Sequence, residues 1–320
     1  MELVEILEAF LYPGVLYISI LALLFEWIDR KLVARFQNRV GPYYAGPHGS
    51  LQPLADFIKL LSKEDIVPAN SDKLLFTMGP VLALVIPFLG TAFLPISHTD
   101  GLVSIEGDLI VVVALLTLYA LIVYVSGVAP PSRYSLIGAE RTVLMLVGFE
   151  IPLILSCLSA AISAGSLRIS RIVEYQAGRW LLLGPHLVGF IIFLVAAQAE
   201  LERIPFDLPE AEKEIVAGWQ VEYASWRLAF FRLSRDVEHV LLAGLAAALF
   251  LGGPLGPAPP GFEHVLYPAY FLAKSIAVLA LFSLLKASFA RIRIDQFVDF
   301  CWHYLIPISL AYLMAIRLVT

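Results

Sequence analysis

Residues 181–218 read LLLGPHLVGFIIFLVAAQAELERIPFDLPEAEKEIVAG: an apolar run to Leu201, then a stretch dense in carboxylates. A helix crossing about 30 Å of hydrocarbon at about 1.5 Å per residue needs about 20 mostly apolar residues, and 181–201 supplies them. Pro205 and Pro209 keep helix from continuing through IPFDLP. Broken backbone of that kind is tolerated at membrane depth only where protein buries it or water lines it. Nine carboxylates stand from Glu200 to Glu238. A new helix can start after Pro209, with Glu210 and Glu214 on one face and Glu212 turned roughly 160° away. Acids in a first helical turn also suit the helix dipole, which is reason enough for Glu210 and Glu212 but not for Glu200 and Glu202 at the inner end of the span.

Working outward, seven further stretches have the same character: 12–32, 74–96, 109–129, 142–164, 237–252, 266–287 and 301–319, the sixth in chain order (237–252) being short and Gly-rich. The composition agrees: 59% apolar and 15% charged residues with mean hydropathy +0.82, against roughly 45–50% and 25% in soluble domains. The expected fold is all-α, one transmembrane domain over 1–320 with eight spans. Glu2, Glu5 and Glu8 stand where a cleaved leader would need basic residues. Of 22 Lys and Arg, 17 fall between spans 1–2, 3–4, 5–6 and 7–8, 4 fall in the other segments and termini, and Lys274 lies within span 7. The positive-inside rule then puts the long loops in the cytoplasm and both termini outside the cell membrane.

Several function classes drop out. A net charge of −5 and the lack of a basic aromatic patch argue against nucleic acid. Cys157 and Cys301 stand alone and the six histidines never fall at ligand spacing, so no metal, cluster or haem site is expected on this chain. The absence of a fixed-period repeat speaks against an inverted-repeat transporter. The scarcity of Asn and Met mildly favours a thermophilic source.

The other long loop, 33–73, contains a short amphipathic stretch. Leu51, Leu54, Ala55, Ile58 and Leu61 recur at helical spacing from Ser50 to Ser62, which suits an interfacial helix about three turns long. Asp56 and Lys59 can pair on its flank. Acids within spans carry a stronger message. Glu150 lies far from either end of span 4, where a charge costs about 2.5–3.5 kcal/mol or more; Glu140 and Arg141 open that span and Glu26 closes the first. An acid shielded from water binds its proton more tightly, as a proton relay requires.

ARFQNRVGP (34–42), LQPLADFIKLLSKEDIVPAN (51–70), SLIGAER (135–141), ERIPFDLPEAEKEIVAG (202–218) and RIRIDQF (291–297) resemble, in order, the motifs of the H subunit of bacterial respiratory complex I, whose mitochondrial equivalent is NADH dehydrogenase subunit one, and of the related membrane subunits of energy-converting [NiFe]-hydrogenases. The resemblance implies a non-catalytic membrane foot that couples a cytoplasmic redox module to antiporter-like pumping subunits and small membrane subunits. It places Glu150, Glu200, Glu202, Glu210, Glu212, Glu214, Glu140 and Asp56 on a path of ion-coupling acids. Asp29, Arg30, Arg35, Arg39, Lys59, Arg203, Asp207, Arg291, Arg293 and Asp295 fall at the redox-module interface or a quinone-like cavity. It implies no cofactor on this chain, Fe–S clusters and a NiFe centre on its partners, and a lipid or quinone in the cavity beside residues 30–59. Departures from the pattern set the expected branch. AELERIPFD (199–207) stands where AETNRAPFD is usual, Glu140 replaces an apolar residue, and span 3 has no carboxylate, only Thr117 near that level. Bulkier, more acidic lining fits a poor quinone site, so the expectation is the archaeal membrane-bound hydrogenase or sulfane reductase branch, with a quinone- or phenazine-linked complex as alternative. A free-standing ion-coupled transporter and a pure scaffold are the other classes; co-purifying partners and Gln variants of the acids separate them.

Overall fold

A computed structural model describes residues 10–259 and 261–319, apart from the side chains of Glu212, Lys213 and Val319. Glu2, Glu5 and Glu8 lie outside that range. The regular structure of the described residues is helical, without strands: α1 (Val15–Phe36), α2 (Gln52–Leu61), α3 (Lys73–Thr91), α4 (Asp108–Val128), α5 (Arg133–Ala164), α6 (Ile169–Tyr175), α7 (Leu187–Glu200), α8 (Glu212–Ile215), α9 (Ser225–Phe250), α10 (Glu263–Ser288), α11 (Ile294–Phe300), a π-helical turn at Cys301–Leu305, and α12 (Ile306–Val319).

Five helical stretches have the length and apolarity to cross a membrane: α3, α4, α5, α10 and the rod 294–318. The other three expected spans are present as helices that differ from that standard for visible reasons. α7 has only 14 residues, while α1 and α9 carry charged side chains within their length. Several helices are longer than hydropathy suggests. α5 begins at Arg133 rather than 142, α9 at Ser225 rather than 237, and the last rod at Ile294 rather than 301. In each case the added turns bear charges that find partners in the fold.

The Gly-rich sixth stretch is the centre of the molecule. From Val237 to Phe250 every residue of α9 is buried, because α1, α3 and α10 pack around it. Small side chains make that approach possible: a Cβ on Gly244 would stand 2.7 Å from Leu94 Cδ1 and 2.9 Å from Phe271 Cζ. A second group, α4, α5, α7 and α12, packs together and meets the first through α3 against α4. Helix ends are satisfied by long-range donors as well as local ones. Asp72 caps α3 by accepting from Leu74 N at 3.0 Å and Leu75 N at 3.2 Å. Lys274, half-buried in α10, donates to Gly253 O at 2.8 Å and Leu255 O at 2.7 Å just beyond α9. The amphipathic helix is where the periodicity places it, but Asp56 does not pair with Lys59. Lys59 is exposed, and Asp56 faces α1.

Candidate functional site

The loop after α7 positions the site. The backbone turns at Glu202 (φ 49°) and again at Gly218 (φ +56°), where any Cβ would collide with Pro209 O. Trp219 then enters a slot that only glycines leave open: a Cβ on Gly138 would lie 2.4 Å from Trp219 N, and one on Gly127 2.9 Å from Trp219 Cβ. Ser135 Oγ donates to Gly127 O at 2.7 Å and, alternatively, to Trp219 O at 3.0 Å. Thus the loop is seated on α4 and α5, and its acids Glu202 and Glu210 reach Arg235 of α9.

Together these elements enclose a chamber of about 450 Å³. Its apolar wall includes Leu23 of α1, Phe57 and Leu60 of α2 and Leu233 of α9; its polar wall includes Arg30, Asp56, Arg203 and Arg232. Charges around it are paired in separate sets. Arg30 bridges Glu26 at 2.5 Å and Asp56 at 2.6 Å, and Gln52 donates to Asp56 at 2.9 Å. Burial alone would raise the Asp56 carboxyl, but the Arg30 and Gln52 hydrogen bonds and the Arg30 charge hold it below the ordinary carboxylate value. Asp29, fully buried, accepts from Arg203, from Ser283 Oγ at 2.7 Å and from Lys286 Nζ at 3.1 Å; Arg203 Nη1 also meets His239 Nε2 at 3.1 Å. Arg291 grips Asp207 with both arms of its guanidinium, Nε to Oδ1 at 2.7 Å.

Deeper in, Glu202 meets Thr142 Oγ1 at 3.0 Å, Trp219 Nε1 at 3.3 Å and Arg235 Nη2 at 3.5 Å. Glu202 lies in the loop beyond α7, where burial pushes its carboxyl up to about 7 against the opposing pull of Arg235. Arg235 also grips Glu210, with Nη1 at 2.9 Å from Oε2. Behind this pair a small pocket of about 20 Å³ is lined by Glu200, Glu238 and Tyr119, among others. On a separate groove of about 260 Å³ between α4 and α5, Thr117 Oγ1 donates to Glu150 at 2.6 Å.

Of the residues singled out in the sequence, Arg30, Asp56, Glu202, Arg203, Asp207 and Glu210 line the chamber, with Asp29 and Arg291 one contact behind. Glu200 faces the small pocket and Glu150 the α4–α5 groove. Glu140, Arg35, Arg39, Lys59, Arg293 and Asp295 are exposed or half-exposed and line none of these cavities. The helix expected from Pro209 starts only after Ala211 and lasts one turn, so Glu210 and Glu214 do not share a face. Glu214 pairs with Arg141 at 2.6 Å, and the Glu212 side chain lies outside the described residues. Arg235, Asp236, Glu238 and His239 of α9 and Lys286 of α10, all beside the site, were not among the expected site residues, although Asp236 and Glu238 stand in the carboxylate-rich stretch. The signal was present in SRDVEHV (234–240), charges one helical turn apart at the start of an apolar run. No group of three metal-binding side chains occurs among the described residues.

Residues 10–317 match the family model described as NADH dehydrogenase. The H subunit of the NADH-quinone oxidoreductase of Dehalococcoides mccartyi is 39% identical over 299 residues, 93% of this chain and 82% of the relative. The corresponding protein of Thermomicrobium roseum is 40% identical over 303 residues (89% and 87%), and that of Brevibacillus brevis 38% over 284 residues (89% and 84%). These relatives are bacterial and bear the name of a quinone-linked enzyme, so they favour the quinone alternative over the archaeal hydrogenase branch that AELERIPFD suggested. The match covers nearly the whole chain in a single alignment, and the chain belongs to the NADH dehydrogenase family, the membrane proteins that include the H subunits of complex I-type enzymes.

Proposed function

We infer that this chain is the quinone-chamber and coupling subunit of a complex I-type NADH-quinone oxidoreductase. The carrying observation is the 450 Å³ chamber between α1, α2 and the acidic loop, a volume within the range of small-molecule sites, about 300–1,000 Å³. A quinone headgroup would meet Arg30, Asp56 and Arg203, and its isoprenoid tail would lie along Leu23, Phe57 and Leu60. The amphipathic α2 turns Leu54, Ile58 and Leu61 outward, as a helix lying in the membrane interface does. Eight helices span the membrane in this reading, with the chamber loops cytoplasmic and both termini outside.

The chain itself performs no redox chemistry. Partner subunits carry the Fe–S clusters and deliver electrons to quinone at the chamber. The change in charge on reduction is felt by Asp56, Glu202 and Glu210, and passes through Glu200 and Glu238 toward Glu150 and the adjoining membrane subunits. Carboxylates a few ångströms apart share protons, so a small loop movement changes their joint titration.

The test is purification of the tagged native complex, followed by labelling with a photoactivatable quinone. Labelled peptides from α1, α2 or residues 201–210 support the reading. A chain that purifies alone, or a label confined to other subunits, refutes it. A second reading, attachment to a hydrogenase-like module, draws on Leu201, Glu202 and Ile204, which line the chamber. Nickel in the complex and no quinone reduction would favour it.

A further inference from the structure

Two cavities on opposite sides of the loop share three residues. The chamber and the 20 Å³ pocket are both lined by Leu201, Glu202 and Arg235. Leu201 carries no exchangeable side-chain proton, and a guanidinium does not release one at any ordinary pH. The wall therefore offers a proton only one stepping stone, the Glu202 carboxylate. On its far side Glu200 and Glu238 each have an Oε1 that meets no hydrogen-bond partner among the described residues. A pocket of about 20 Å³ is the size for one water and too small for an organic ligand.

Arg235 divides its guanidinium unequally across this wall. Two arms reach Glu210, while Glu202 is held at 3.5 Å. An ionised Glu202 competes with Glu210 for that cation, and a neutral one does not. We propose that Glu202 is the proton gate between the chamber and the Glu200–Glu238 pocket, with Arg235 as the positioning residue that moves between Glu202 and Glu210 as the gate changes charge. The Glu202 carboxylate takes a proton from chamber water, and Arg235 settles on Glu210. The proton then passes through one water to the carboxylate of Glu200 or Glu238. Glu202, ionised again, draws Arg235 back. One proton enters and one leaves, with no change of oxidation state. The groups facing Glu202 are Arg235 and Glu238 of α9, Glu200 at the end of α7, Tyr119 of α4 and Glu210 of the loop, with Thr142 and Trp219 as neutral donors.

This gate rests on the coupling role proposed above, and the variants are chosen to separate the two. The assembled complex in liposomes is assayed for ions moved per electron from pH 5 to 9, with infrared difference spectra of protonated carboxyls. Wild type should show a limb centred near neutral pH and a matching carboxyl band. Glu202→Gln should lose both, and Glu202→Asp should restore them. Arg235→Gln should move the limb up by about one pH unit or more, because a nearby cation favours the ionised form. If limb and band survive in Glu202→Gln while Glu200→Gln abolishes pumping, the gate is wrong and the coupling role stands. If neither variant changes pumping, the coupling role fails and the gate with it. A downward or absent shift in Arg235→Gln overturns the part given to the arginine.

Discussion

Replacing Asp29 by Asn should destabilise the chain by about 3 kcal/mol, near the lower end of the range for breaking a buried ion pair. Asp29 is 1% exposed, Arg203 10% and Lys286 29%. The substitution keeps the side-chain shape and an acceptor for Ser283, removes the negative charge, and turns the oxygen facing Arg203 and Lys286 into a donor. Arg203 is then left in a nearly dry site with another cation close by. Lys286 is partly hydrated and adds less, and the neighbouring His239 ring gives Arg203 one remaining contact, which is why the upper end of the range is not expected. The assay is thermal unfolding of the purified complex, followed on this chain, for Asp29→Asn, Lys286→Met and the double variant. Removing the lysine relieves the charge imbalance left by the first change, so the double variant should be less destabilised than the sum, by about 0.5–3 kcal/mol. Additive effects, or an Asp29→Asn cost below about 1 kcal/mol, would refute the view that this buried network is balanced around Asp29.

Three further predictions follow from the same geometry. The Glu202 carboxyl, raised from 4.5 to about 7, contributes stability that is complete below pH 4.5 and lost as the pH rises through 7. Melting measured from pH 4 to 8 should therefore decline by up to about 3 kcal/mol on this account, and Glu202→Gln should flatten that decline; an unchanged slope contradicts the assignment. Gly138→Ala places a methyl 2.4 Å from Trp219 N, so it should cost about 1–3 kcal/mol and make residues 208–222 more open to protease, whereas wild-type proteolysis would show that the slot is not tight. Lys274→Met, which strips two carbonyls beyond α9 of their donor, should lower stability by about 1–3 kcal/mol without altering the ions moved per electron; a change in that ratio would give Lys274 a role beyond capping.

How much was legible beforehand depended on whether the controlling contacts were local. The helix at 52–61 could be read from apolar spacing, and the observed ends lie within two residues of the expected ones. The break at IPFDLP was equally plain, since proline acts on its own backbone. Span ends were harder. Hydropathy discounts charged residues, yet Arg227 and Arg235 stay within α9 because Asp65, Glu202 and Glu210 meet them. No local pattern announces partners so far apart in the chain, such as Asp29 with Arg203 or Arg30 with Asp56. Glu210 and Glu214 were grouped on a helix that the loop forms for only one turn, starting beyond Glu210, because Gly218 and the Trp219 slot fix its path instead. Glu150, by contrast, needed only its position within an apolar run, and Thr117 at the same level is its donor.

The central claim is that electron transfer to quinone at the chamber is tied to ion movement through the acids of this chain. The most direct measurement is ions moved per electron by the intact complex in sealed liposomes, for wild type, Glu200→Gln and Glu150→Gln, with assembly checked by subunit composition. The account predicts fully assembled complexes in which both variants have lost pumping. Pumping at the wild-type ratio in both would contradict it.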